Sequence, residues 1–175
     1  SDHADFHPTD VFQDADGSML VVDTGGWFRI GCPTSQIAKP DVLGAIYRVR
    51  KTDSPRIDDP RGLTIDWQNS SDDQLAPLLN DTRWAVRDRA SEQLVKRGLP
   101  AVQPLQKMIV GNAGVEAKCA AVWALMRIQS SMPSSTPLLG NALKHAETPV
   151  RQAAARAAGL LNDPSYRPAL VELVT

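Results

Sequence analysis

The 175-residue chain carries 19 Lys and Arg against 20 Asp and Glu, a formal net charge of −1. That balance argues against a general polyanion binder, because phosphate-backbone affinity comes from many clustered cations releasing counterions. Its two cysteines, Cys32 and Cys119, imply neither a disulfide framework nor a thiolate metal site, and no apolar run approaches the roughly 20 residues that span a bilayer.

From the N-terminus, His3 and His7 stand among Asp2, Asp5 and Asp10. A four-residue His spacing serves one metal ion when the segment is helical, and Pro8 interrupts it, so a tail leading into a strand is expected. Pro8-Thr9-Asp10-Val11-Phe12 reads as a strand. The turn sequence Asp14-Ala15-Asp16-Gly17-Ser18 comes next, then a second strand, Met19-Leu20-Val21-Val22-Asp23. The turn does not match the EF-hand calcium loop: Phe12 stands where an acidic ligand is required, and no bidentate Glu is found downstream. Asp16-Gly17 instead suits a tight hairpin. Further along, Cys32 sits between Arg29 and Lys39, cationic neighbours that favour a thiolate, but no His is near to act as its base. Gly44-Ala45-Ile46-Tyr47-Arg48-Val49 has the composition of a third strand. Residues 52–70, rich in Pro and Asp, read as a linker, with Trp67 available to dock it on the segment beginning at residue 71.

From residue 71 the pattern changes to a repeat. Trp84-Ala85-Val86-Arg87-Asp88-Arg89-Ala90 aligns with Glu116-Ala117-Lys118-Cys119-Ala120-Ala121 and with Pro149-Val150-Arg151-Gln152-Ala153-Ala154. The cations Arg87, Lys118 and Arg151 then fall 118 − 87 = 31 and 151 − 118 = 33 residues apart. Each segment carries an apolar stripe at i, i+4 and i+8: Val86, Ala90 and Leu94; Ala117, Ala121 and Leu125; Val150, Ala154 and Ala158. A second recurrence, Pro77-Leu78-Leu79, Pro104-Leu105, Pro137-Leu138-Leu139 and Pro168-Ala169-Leu170, marks helix starts, where a missing N–H costs nothing. Leu75, Leu79, Val102, Leu105, Ile109, Leu139, Leu143, Leu170 and Val174 are expected to supply the buried faces of these first helices. Arg83, Arg87, Arg89, Lys96 and Arg97 form the densest basic cluster, but Asp81, Asp88 and Glu92 stand at spacings that allow ion pairs, so a solvated face is expected. Residues 71–175 carry 12 cations against 9 anions, and residues 1–70 carry 7 against 11. The helical part is mildly basic.

Ala101-Val102-Gln103-Pro104-Leu105, the connection after it, and Val-Arg followed by spaced Ala and Leu resemble HEAT repeats of the bilin-lyase-like kind. The resemblance covers about 105 residues. It implies that Arg87, Lys118 and Arg151 help tie the hairpins together rather than contact a ligand, and that the array is interrupted in its fourth repeat. The stretch from His7 to Arg29 resembles blades of NHL-type and sugar-dehydrogenase-type β-propellers. More narrowly, Asp23-Thr24-Gly25-Gly26-Trp27, Cys32-Pro33-Thr34-Ser35-Gln36 and the run from Lys39 to Val49 look like the closing blade of large planctomycete-type exported proteins. Those proteins join a propeller, HEAT repeats and a c-type haem domain. The resemblance places Asp23, Trp27 and Cys32 in a blade loop and implies an extracytoplasmic location, with any targeting signal outside these residues.

The expected architecture is mainly α: a right-handed α-solenoid of HEAT hairpins over 71–175, after a partial antiparallel β blade at 1–51 and the linker at 52–70. No nucleophile with its base, phosphate-binding Gly loop or Cys-x-x-Cys-His haem motif occurs in the sequence. No cofactor is therefore expected in this chain. Its expected partner is a protein or a neighbouring domain of the same polypeptide, not a nucleic acid. Two readings remain: a non-catalytic interaction or spacer region, and the junction segment of a propeller-type sugar or alcohol dehydrogenase whose haem lies elsewhere.

Overall fold

Three short runs rich in β-branched and aromatic residues form β1 (Pro8–Gln13), β2 (Met19–Asp23) and β3 (Ala45–Val49) in a computed structural model that describes residues 6–25, 43–131 and 137–174. The strands make an antiparallel meander in the order β1-β2-β3. The β1–β2 loop is one residue longer than a two-residue turn. Asp14 N–H donates to the Ser18 carbonyl at 2.7 Å and Gly17 N–H to the Asp14 carbonyl at 2.9 Å. Gly17 takes φ +82°, the left-handed conformation that closes a three-residue hairpin loop. Asp16 organises this loop, accepting from the Ser18 hydroxyl at 2.6 Å and the Ser18 N–H at 3.0 Å. Arg48 at the end of β3 pairs with Asp14 at 2.7 Å and with Asp16 at 3.1 Å, and Arg50 also pairs with Asp16. Register puts Val11, Val21 and Tyr47 on one sheet face, and Phe12, Leu20 and Arg48 on the other. Large apolar side chains stand open on both faces: Val11 and Tyr47 are 53% and 48% exposed, Phe12 and Ile46 45% and 68%.

The chain divides into two compact units between Pro60 and Arg61, so residues 61–70 belong with the helices that come after them. Helix α1 (Asp72–Leu75) opens with a capping box: Ser71 Oγ accepts from Gln74 N–H at 3.3 Å, while Gln74 Oε1 accepts from Ser71 N–H at 2.8 Å. A 3-10 turn (Ala76–Asn80) leads to α2 (Trp84–Arg97). The second hairpin is α3 (Val102–Val110) and α4 (Val115–Ser131), and the third is α5 (Gly140–Leu143) and α6 (Thr148–Leu161), followed by α7 (Arg167–Glu172). Pro77 falls in a 3-10 turn and Pro137 precedes α5, so the first arms of hairpins one and three contain only one turn of α-helix each.

Two layers result. Helices α2, α4 and α6 pack side by side, and the 76–80 turn, α3, α5 and α7 make the other layer. The three apolar stripes form the seam: each of Val86, Ala90, Leu94, Ala117, Ala121, Leu125, Val150, Ala154 and Ala158 is buried. Alanine recurs there because neighbouring helices approach closely only where side chains are small. Leu75, Leu79, Leu105, Ile109, Leu139 and Leu143 are buried from the opposite layer, whereas Val174 is 85% exposed. Val174 lies beyond the end of α7, where no described element covers it. No described helix is long and apolar enough to cross a membrane.

Candidate interaction surface

The recurring cation after the apolar position is held by the turn before its own helix. Arg87 Nη1 donates to the carbonyls of Asp81 and Thr82 at 2.9 and 3.0 Å. Arg151 Nη1 repeats this geometry on the carbonyls of His145 and Ala146 at 2.8 and 2.6 Å, and its Nη2 donates to Thr148 Oγ1 at 3.0 Å. In both, the acceptors lie six and five residues back, so the planar guanidinium clamps the interhelical turn of its own hairpin. Lys118 occupies the equivalent place with a single ammonium and does something else. It is buried, and its Nζ donates to Glu147 Oε1 at 2.9 Å, joining α4 to the turn that starts α6. Of the three cations, Lys118 is the one seen to link successive hairpins. The second carboxylate oxygen of Glu147, Oε2, is buried without a hydrogen-bond partner.

A second polar link joins α4 of hairpin two to the segment before α5 and to the α7 region. Gln129 Oε1 accepts from Tyr166 OH at 2.5 Å and from Leu138 N–H at 3.2 Å, and Tyr166 OH accepts from Leu139 N–H at 3.3 Å. Gln129 and Tyr166 are both buried, so each polar group has found a partner in place of water. Sequence reading missed this pair, which carries no periodic signal across 37 residues. Residues 61–70, linker by composition, are the start of the stack. Trp67 is buried against the helices, its indole N–H donates to the Gly62 carbonyl at 2.6 Å, and the Arg89 guanidinium lies 4.5 Å from its ring centroid. Gly62 has φ +61°, and a Cβ there would come within 2.9 Å of both Ile65 and Val86 side chains. Arg97 folds back from the end of α2 to the Ser70 carbonyl at 2.6 Å, the Trp67 carbonyl at 3.2 Å and Asp72 at 2.9 Å. Residues 61–70 thus form a cap over the first hairpin, without regular secondary structure of their own.

Asp81 pairs with Arg83 at 2.8 Å, as the spacing allows, and its carboxyl is held below the usual range chiefly by that side-chain hydrogen bond. Asp88 and Glu92, by contrast, make no ion pair among the described residues, and both stand exposed on α2. Cys119 is partly buried on α4, and burial, with the charges of Glu147 and Glu116 behind it, pushes its thiol pKa up. A raised thiol is a poor nucleophile at neutral pH. In the sheet unit, buried Asp23 accepts from the backbone N–H groups of His7 and Gly25 at 3.1 and 2.9 Å, locking the ends of β1 and β2 together. Trp27 and Cys32 lie outside the described residues.

Residues 115–175 match the family model for HEAT repeats. The match takes in α4 through α7, about a third of the chain, and the preceding hairpins continue the same two-layer packing. No curated protein and no solved structure matches this chain. HEAT repeats are in general protein-interaction or scaffold elements, and in such stacks neighbouring hairpins bury a continuous seam while their outer helix faces stay open to a partner.

Proposed function

We propose that this chain is a non-catalytic protein-interaction or spacer region in which HEAT hairpins stack into a right-handed solenoid. The observation that supports it most is how the recurring charged residues are used. Arg87 and Arg151 are committed to carbonyls of their own turns and Lys118 to Glu147, so the repeated cations serve architecture and leave the outer helix faces for recognition. The partner is a protein or a neighbouring domain of the same polypeptide.

Photo-cross-linking tests this. A photoreactive amino acid is placed at exposed Gln152 on the α2–α4–α6 layer, or at exposed Gln103 on the other layer, and the protein is irradiated in extract of its source. Adducts that recur with one protein and depend on the position carry the interaction reading; the same adducts from both positions, or none from either, refute it and leave the spacer.

A second reading draws on the sheet. A three-stranded sheet with apolar side chains open on both faces is unstable in water without cover on each side. That supports the sheet being one blade of a larger propeller, and with it the reading of this chain as the junction segment of a dehydrogenase-like protein whose c-type haem lies outside these residues. The oxidised and reduced visible spectra of the natural gene product decide: sharp c-type haem bands carry the junction reading, and a featureless spectrum removes it.

A further inference from the structure

The repeat register lines up more than the buried seam. Advancing by 31 and then 33 residues takes Asp88 to Cys119 to Gln152, and Glu92 to Trp123 to Arg156. These positions occupy neighbouring helices of one layer, because α4 packs between α2 and α6. Asp88 and Glu92 are exposed one turn apart on α2, and Arg156 is exposed on α6. Between them, Cys119 and Trp123 lie one turn apart along α4, partly buried where they rest on the core. Arg127 continues the α4 row one turn further and is exposed. Among the described residues none of these four charges has an ion-pair partner. Over these two turns the face is ordered across the layer as acidic, apolar, basic, with the apolar pair along the axis of α4; one turn further on, exposed Lys96 follows Glu92 on α2 as Arg127 follows Trp123 on α4.

From this order we infer that the face receives an amphipathic helix of a protein partner, with an apolar stripe flanked by cations on one side and carboxylates on the other. The inference deepens the interaction reading above and rests on it. A strip running along a helix, with residues one turn apart, matches apolar groups at i and i+4 of a second helix lying alongside. Asp88 and Glu92 on one flank work against a polyanion such as nucleic acid, which they would repel. Opposite charges on the two flanks also fix the partner's direction: turning the incoming helix end for end would set its carboxylates against Asp88 and Glu92.

The test uses the full 175-residue chain and three synthetic helical peptides of about five turns with one common leucine stripe. The first has Lys on one flank and Glu on the other, the second Lys on both, the third Glu on both. Fluorescence anisotropy at low salt is expected to show the mixed peptide binding at least roughly tenfold tighter than either single-sign peptide, with the margin shrinking as salt is raised. Trp123→Ala weakens all three. The double variant Asp88→Lys with Glu92→Lys, whose face is basic on both flanks, transfers the preference to the all-Glu peptide. Asp88 and Glu92 are on the surface while Trp123 is partly buried, and helical circular dichroism confirms that each variant is folded. Equal binding of the three peptides, or a preference unmoved by the double variant, overturns the inference. If position-dependent adducts then arise from Gln103 on the opposite layer, the interaction reading stands and only this face is wrong; if no position gives adducts, both fail.

Discussion

Replacing Trp67 by Ala asks whether residues 61–70 are a cap or a tether. The side chain is 5% exposed and packs against the helical core. Truncating a buried Trp costs about 3–5 kcal/mol, the transfer of the ring plus the void it leaves. The indole hydrogen bond to the Gly62 carbonyl and the Arg89 stacking are lost in the same step and are part of that figure. At roughly 4 °C per kcal/mol for a unit of this size, the helical transition should fall by about 10–20 °C. Thermal melts measure that shift and urea denaturation the free energy, both followed by helical circular dichroism, since nearly all of that signal comes from residues 72–172. Trp67→Phe keeps most of the buried ring but leaves the Gly62 carbonyl with only the longer bond from Ile65 N–H at 3.3 Å, and should cost about 1–2 kcal/mol. A loss below about 1 kcal/mol for Trp67→Ala would refute the reasoning, because the segment would then contribute nothing that the hairpins lack.

Lys118→Met should destabilise the helical unit by about 1–3 kcal/mol in urea, less than the roughly 3–5 expected of a fully buried pair because the Glu147 side chain is 36% exposed; adding Glu147→Gln should recover a large part of the loss, and a double variant no better than the single one counts against the pair. Asp16 should titrate at about 2, down from 3.8, held there by the Ser18 hydroxyl and N–H and then by Arg50 and Arg48. A depressed folded-state value means that its contribution to the sheet is complete above pH 3.8 and disappears as pH falls through about 2; a carboxyl NMR midpoint near 3.8 would contradict the loop geometry. In a Cys32→Ser background, Cys119 should react with a soluble disulfide reagent more slowly than a free thiol at neutral pH, and the rate should keep rising above the ordinary thiol range, since burial and the nearby carboxylates raise its pKa; a rate levelling off near neutrality sinks that prediction.

Much of the helical unit was readable because its signal is periodic. A stripe such as Val86, Ala90 and Leu94 has one place to go, and all three side chains are buried. The strands were readable for a similar reason, from β-branched runs on either side of an Asp-Gly turn. The first helical arms were less so: proline marks where a helix starts but not how long it runs, and α5 ends after four residues. The surface proposed for a partner helix was hidden for another reason. Asp88, Trp123 and Arg156 are far apart in the chain, and Asp88 and Glu92 looked like members of a self-neutralising cluster until the structure left them unpaired.

The sequence by itself determined the repeat, its register and the choice of buried face, because an amphipathic helix must bury its apolar stripe and spacing alone says which residues form it. Only the tertiary structure decided what the polar residues do. Arg87, Lys118 and Arg151 share one repeat position, yet two clamp their own turns and one bridges to the next hairpin. Trp67 and Arg97 turn an apparent linker into a cap. Hydrogen bonds and ion pairs depend on distances of a few ångströms between residues tens of positions apart, and the packing of the layers sets those distances.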